Sequence, residues 1–230
     1  MSETVLIIAA HPDDEVLGVG GTAARHASQG DDVHVLIMAE GVTSRSTIRN
    51  VEQHDANLSD LRQSAATAAG LLGTRPPRFT TLPDNRMDSL DLLDVVKQIE
   101  THVSEIRPTI VYTHHGGDLN VDHLIVHRAT LTACRPLPGH VLRAIYTFET
   151  LSSTEWGSPD SGTPFQPTHF VNVSGTLAQK ITALRCYEAE MRPFPHARSL
   201  EAVQALARLR GAQSGLAAAE AFGVIRSFWS

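Results

Sequence analysis

The order of apolar segments predicts an α/β fold, a single Rossmann-like domain built on a mostly parallel open sheet with helices on both faces. Residues 5–10 and 33–38 are continuous apolar, β-branched runs, and between them residues 16–29 carry small and apolar side chains at helical spacing. A strand, helix, strand unit of that kind joins parallel neighbours. Strand-like and helix-like stretches then continue to alternate, which is the pattern of a sheet covered on both sides.

Each further element has its own signal. Residues 58–72 repeat apolar side chains every three or four positions and stop at Gly73, as a helix with a glycine cap does. Residues 90–106 form an amphipathic helix ended by Arg107-Pro108; 109–113 are a short strand; 124–134 are a helix closed by Arg135-Pro136. Residues 144–148 are a strand, and 152–167, rich in Ser, Gly and Pro, form a long loop of the kind that often carries function. Residues 170–173 make a late edge strand, 177–190 and 200–210 are helices, and 217–225 are expected to be a final helix. No internal repeat breaks this series, so residues 1–230 are expected to form one catalytic domain.

Composition narrows the classes of function. With 42% hydrophobic and 19% charged residues the chain is ordinary for a soluble globular protein. The net charge of -6 comes from scattered carboxylates, without the Lys/Arg-rich stripe that would neutralise a phosphate backbone, so nucleic acid is not an expected partner. No run approaches the roughly 20 apolar residues that span a bilayer, and the start lacks a basic leader. Only Cys134 and Cys186 are present, which argues against a disulfide framework and fits a reducing cytoplasm. Oligomeric state is open on this evidence, with a homo-oligomer as one option.

In open sheets ligands bind beyond the carboxyl ends of the strands. There, after the first strand, stands Ala10-His11-Pro12-Asp13-Asp14-Glu15. Three adjacent carboxylates repel one another unless something positive lies among them, and a divalent cation would supply that charge. An imidazole and a carboxylate suit zinc, and a carboxylate left uncoordinated can take a proton from water. The bland alternative makes Asp13 or Asp14 a helix cap, but it does not explain His11 and both acids together. After the strand 109–113 comes a second block, His114-His115-Gly116-Gly117-Asp118-Leu119-Asn120-Val121-Asp122-His123, with His127 one turn on. Asn120 or Asp122 would start the next helix and leave His123 in its first turn, facing the cleft. Gly18-Val19-Gly20-Gly21 invites a dinucleotide reading, but carboxylates stand where pyrophosphate would approach, so these glycines are read as close helix-to-sheet packing.

These blocks resemble the LmbE-like, or PIG-L, zinc deacetylases. The likeness rests on A-H-P-D-D-E at 10–15 and D-L-N-V-D-H at 118–123, and extends to Leu82-Pro83-Asp84-Asn85-Arg86-Met87-Asp88, Phe194-Pro195-His196-Ala197-Arg198-Ser199 and Ala219-Glu220-Ala221-Phe222. It implies that His11, Asp14 and His123 hold one Zn2+ and that Asp13 is the general base. It also implies that Arg62, Asp88 and His196 contact the substrate. The implied reaction removes an acetyl group from an N-acetylglucosamine-type conjugate. Iron or cobalt would also suit a two-His, one-carboxylate site. Many members have a histidine where this chain has Asn120, which can donate a hydrogen bond to an oxyanion but cannot shuttle a proton. The acid role is thereby open to Asp13, His114, His115, His127 or His196, and the alternatives to the whole reading are an amidase for another amide, such as a thiol conjugate, or a metal-free nucleotide-binding domain.

Overall fold

Strand β1 (Thr4–Ala9) is central to a sheet of seven strands, ordered β3-β2-β1-β4-β5-β7-β6. The computed structural model describes residues 2–45, 50, 54–158 and 163–229. β1 pairs in parallel with β2 (Asp32–Ala39) and β4 (Ile110–His114), and β3 (Arg78–Leu82) and β5 (Ala144–Phe148) extend the parallel part outward. The chain runs from β1 to β2 and β3 on one side and only then crosses to β4 and β5. The ends of β1 and β4 therefore flank the point where strand order reverses, where such sheets bind ligands.

Side-chain alternation along β1 feeds two cores. Val5 and Ile7 pack toward α1 (Asp14–Ser28), α2 (Asp55–Leu72), α5 (Leu177–Leu184) and α6 (Leu200–Ser214), whereas Leu6 and Ile8 pack toward α3 (Leu92–Ile106) and α4 (Val121–Ala133). Burial on both faces explains why the strand reads as an unbroken apolar run rather than an alternating one. α1 lies unusually close to the sheet, as its glycines foretold: a methyl group at Gly18 would stand 2.2 Å from Phe148 Cδ2, and one at Gly21 2.9 Å from Val173 Cγ1.

Three segments differ from the sequence-based expectation. The stretch expected to be a final helix is strand β7 (Ala219–Ser227), inserted antiparallel between β5 and β6 (His169–Asn172). Alanine is the best helix former, but propensity is a weak prior, and here pairing on both sides outweighs it: Phe222 faces Phe148 on one neighbour and His169 on the other. β3, after Pro76-Pro77, is an edge strand with a mixed burial pattern that gave no clear period. Helix α5 stops at Leu184, and the 3-10 turn Arg185–Tyr187 brings the Tyr187 hydroxyl onto Glu15. In the long loop the turn Thr154–Trp156 is ordered, and residues 159–162 lie outside the described residues.

β7 is tied to α5 by a buried ion pair, and to α1 by backbone hydrogen bonds to the same carboxylate. Lys180 Nζ lies 2.6 Å from Glu220 Oε1, and the same carboxylate accepts the backbone N–H groups of Gly21 and Thr22 at 2.8 and 2.7 Å. Removing one partner leaves a charge in a dry site, so Lys180→Met is expected to cost about 3–5 kcal/mol of unfolding free energy. Urea denaturation checks this; a loss below about 1 kcal/mol would mean that the backbone donors alone satisfy Glu220. Among the described residues no helix is long and apolar enough to cross a membrane.

Candidate metal centre and cleft

The turn after β1 places His11 at the rim and Asp14 at the start of α1. Asp13 holds φ at 111°, a region that costs a non-glycine residue about 1–3 kcal/mol. Glu15 stabilises that conformation: its Oε2 accepts the Asp13 backbone N–H at 2.9 Å while Oε1 accepts the Tyr187 hydroxyl. Burial pushes the Glu15 carboxyl up to about 7 against the pull of the Tyr187 hydrogen bond. Glu15 thus orients a neighbour. Asp13 occupies the N-cap position of α1, yet its side chain makes no cap hydrogen bond. The carboxylate reaches instead to Arg198, 2.7 Å away.

From the end of β4 the chain turns so that Asn120 caps α4, its Oδ1 accepting the Asp122 N–H at 2.8 Å, and His123 enters in the first turn. His11, Asp14 and His123 then meet. Asp14 Oδ2 lies 3.2 Å from His11 Nδ1 and 3.1 Å from His123 Nε2, and these two nitrogens are 3.3 Å apart. The far nitrogen of each ring faces a carboxylate: His11 Nε2 stands 3.1 Å from Asp122 Oδ2 and 3.3 Å from Asp84 Oδ1, and His123 Nδ1 stands 3.1 Å from Asp118 Oδ1. Protons held there leave two lone pairs and a carboxylate oxygen converging on one point. Such carboxylate–histidine pairs fix the tautomer and orientation of metal-binding imidazoles.

The donor set fits a divalent cation. Asp14 is fully buried, and its Oδ1 has no hydrogen-bond partner, a costly state for a carboxylate oxygen unless a cation meets it. Burial would push the Asp14 carboxyl up, but the charge of His123 and hydrogen bonds from both imidazoles hold it well below the usual carboxylate range. His11 and His123 are raised despite burial, because the surrounding carboxylates favour positive charge. A third imidazole, His114, stacks on His123 with centroids 3.8 Å apart, but its Nε2 accepts the Ala10 N–H at 2.8 Å. That lone pair is spent, and burial followed by the His123 charge holds His114 well below its ordinary pKa. His11, Asp84 and Asp122 also lie close enough to share an ion, but Asp122 accepts the N–H groups of Asn85 and Met87 and Asp84 that of Ser44. These two acids fasten the loop after β3 to the imidazole.

Beside this group lies a cleft of about 110 Å³ lined by His11, Asp13, Asp84, Asn85, Asn120 and Arg198, among others. Asn120 Nδ2 donates to Asn85 Oδ1 at 2.8 Å. Burial raises the Asp13 carboxyl well above its ordinary value even though the Arg198 guanidinium opposes it. The substrate contacts implied by the resemblance do not gather here. Arg62 is exposed on α2 with its guanidinium 5.6 Å from the Phe79 ring centre, Asp88 is exposed in the turn after β3, and neither lines the cleft. His196 is exposed as well, its Nδ1 accepting the Arg198 N–H at 3.0 Å. His115 and His127 donate to the carbonyls of Thr163 and His114 and do not line the cleft.

Arg198 is what the sequence reading missed, although it lies two residues from His196. Its Nε donates to Ser152 Oγ at 2.7 Å, which aims the guanidinium at Asp13. Asp118 was also passed over. It accepts hydroxyls from Ser153 and Thr154, so it links His123 to the loop after β5. Burial works against its ionisation, but hydrogen bonds led by that of His123 bring it down to about 2.

The family model described as GlcNAc-PI de-N-acetylase, PIG-L, matches residues 6–134, a stretch that holds His11, Asp14 and His123. The chain belongs to the PIG-L family. A relative from Saccharopolyspora erythraea, 1D-myo-inositol 2-acetamido-2-deoxy-alpha-D-glucopyranoside deacetylase 1, is 26% identical over 236 residues, covering 82% of this chain and 78% of the relative. Two solved structures share the fold at TM-scores of 0.78 and 0.76. The first is GalB, the 4-carboxy-2-hydroxymuconate hydratase of Pseudomonas putida, 22% identical over 99% of this chain and 98% of the other. The second is the N,N'-diacetylchitobiose deacetylase of Pyrococcus horikoshii, 19% identical over 97% and 84%. One fold thus carries at least two reactions, and the site must decide between them.

The carboxylate–imidazole pairing has a direct test. Asp118→Asn removes the anionic acceptor behind His123 and is expected to weaken binding of a divalent metal about 10–100-fold, measured by competition with a chromophoric chelator. Unchanged affinity would show that Asp118 only shapes the loop.

Proposed function

We propose that this chain is a metal-dependent hydrolase, with zinc as its ion, that removes an acetyl group from an N-acetylated amino sugar conjugate. The observation that carries the reading is the tripod of His11, Asp14 and His123, with its unpartnered Asp14 oxygen, beside a cleft whose lining includes His11 and the Arg198-paired carboxylate of Asp13. The Saccharopolyspora relative, a named deacetylase of an acetamido sugar, supports the choice of reaction.

A divalent ion held by the tripod supplies Lewis acidity that polarises the amide carbonyl and makes a water nucleophilic. Asp13 takes the proton of the attacking water on its carboxylate and returns it to the departing amine nitrogen. Arg198, held by Ser152, keeps that carboxylate aimed at the cleft and favours its ionised form. Asn120 Nδ2 gives one hydrogen to Asn85 and its second to the oxyanion that forms on the acetyl oxygen. The donor is neutral, so proton return falls to Asp13. The same tripod would serve an amidase for another amide, and the GalB likeness raises a hydratase reaction. Both are settled by product: only the proposed reaction yields acetate and a free amino sugar.

Asp13→Ala is expected to keep its metal and to lose turnover by about 10²–10⁴-fold, whereas His123→Ala is expected to lose the metal itself. Metal analysis and acetate release on the same preparations check this; a metal-free Asp13→Ala beside a metal-loaded His123→Ala would reverse the roles. Arg198→Met removes the cation that favours ionised Asp13, so the acidic limb of the kcat/KM profile is expected to move to higher pH. A shift to lower pH, or none, would contradict the base assignment.

A further inference from the structure

The metal cleft does not end at the tripod. A second cavity, of about 470 Å³, lies between α2 and residues 186–190 and shares Val42, Leu61 and Glu190 with the cleft. One wall is a single face of α2, since Asn57, Asp60, Leu61 and Ser64 recur at positions i, i+3, i+4 and i+7. Leu61 is buried and forms the floor, while Asn57 and Asp60 are exposed at the rim. The opposite wall brings Glu188 and Glu190. The cleft of about 110 Å³ has room for the reacting end of a conjugate, and the groove that shares its residues offers a place for what hangs from the amino sugar.

The chemistry of the walls selects what can lie there. Asp60, Glu188 and Glu190 join Asp13 and Asp84 of the cleft, five carboxylates in all. Among the described residues Arg198 is the single guanidinium or ammonium lining either cavity, and it is already engaged by Asp13 at 2.7 Å and lies 3.9 Å from Glu190. Carboxylates accept hydrogen bonds and donate none, so an occupant must bring donors. An anion entering along these walls meets repulsion from several groups within a Debye length. Arg62, on the same helix, points away over Phe79 and does not offset them.

Resting on the deacetylase reading, we propose that the groove between α2 and residues 186–190 binds the remainder of the conjugate and selects a donor-rich group without negative charge, a polyol or an amine, over a phosphate or carboxylate. Asp60 and Glu188 are the specificity-determining residues, and α2 contributes through them rather than through Arg62.

The test uses three N-acetylglucosaminides of similar size, bearing a polyol, an aminoalkyl or a phosphoalkyl aglycone, on the zinc-loaded full chain. Acetate release gives kcat/KM, and calorimetry on the same compounds gives Kd. The phosphate compound is expected to fall at least about ten-fold below the polyol in both quantities at low salt, with the amine equal to the polyol or better. In the doubly reversed variant, Asp60→Lys with Glu188→Lys, the phosphate-to-polyol ratio is expected to rise at least about ten-fold. Both residues are on exposed surface, and circular dichroism verifies that the variant is folded. Acetate release with no ordering by charge, or an ordering that the reversed variant leaves in place, overturns the groove assignment. Ordered Kd values without acetate release uphold the groove and overturn the reaction instead.

Discussion

A carboxylate removed from water, Asp14, governs the arrangement around it. A buried anion is tolerable only when positive charge or donors surround it, and Asp14 has two imidazoles on one oxygen and nothing on the other. His11 and His123 can face each other and Asp14 because Asp122 and Asp118 hold their far nitrogens. Those two acids are fastened in turn. Asp122 gathers the loop after β3 through the N–H groups of Asn85 and Met87, and Asp118 gathers the loop after β5 through Ser153 and Thr154. Loops from three strands thereby take their shape from one charge-neutralising problem.

The sheet solves the problem of bringing these pieces together. Parallel pairing of β1 with β4 sets their carboxyl ends side by side, although His11 and His123 are far apart in sequence. Rigidity at the Asp13 carboxylate comes from a second buried arrangement. The unfavourable backbone of Asp13 is held by Glu15, Glu15 by Tyr187, and Tyr187 by the turn that ends α5 early. Strain of this kind persists where surrounding contacts over-determine it, and it serves here to turn the Asp13 side chain away from its capping duty and toward the cleft.

Readability of the sequence followed the range of the interactions. Apart from β3, the parallel part of the sheet was readable because its strands and helices carry their own periods; the blocks at 10–15 and 118–123 stood out by their histidines and acids, while the grouping of His11, Asp14 and His123 around one ion came from the resemblance. β7 was not readable, since its alanines favour helix locally and the pairing with β5 and β6 that overrides them shows in no local period. Arg198 pairs with a residue 185 positions away, a contact no local spacing reveals. Asp118 and Asp122 stood inside the quoted motif, but spacing does not say which way a side chain at a helix start points. The substrate roles of Arg62, Asp88 and His196 came from resemblance alone, and the geometry turns all three to solvent.

X-ray absorption at the zinc edge, on protein loaded with one equivalent of zinc, reads the centre most directly. The account predicts a shell of nitrogen and oxygen at about 2.0–2.2 Å, with the outer-shell signature of two imidazoles and no sulfur. A sulfur shell at about 2.3 Å, pointing to Cys134 or Cys186, or a shell without imidazole, would contradict it.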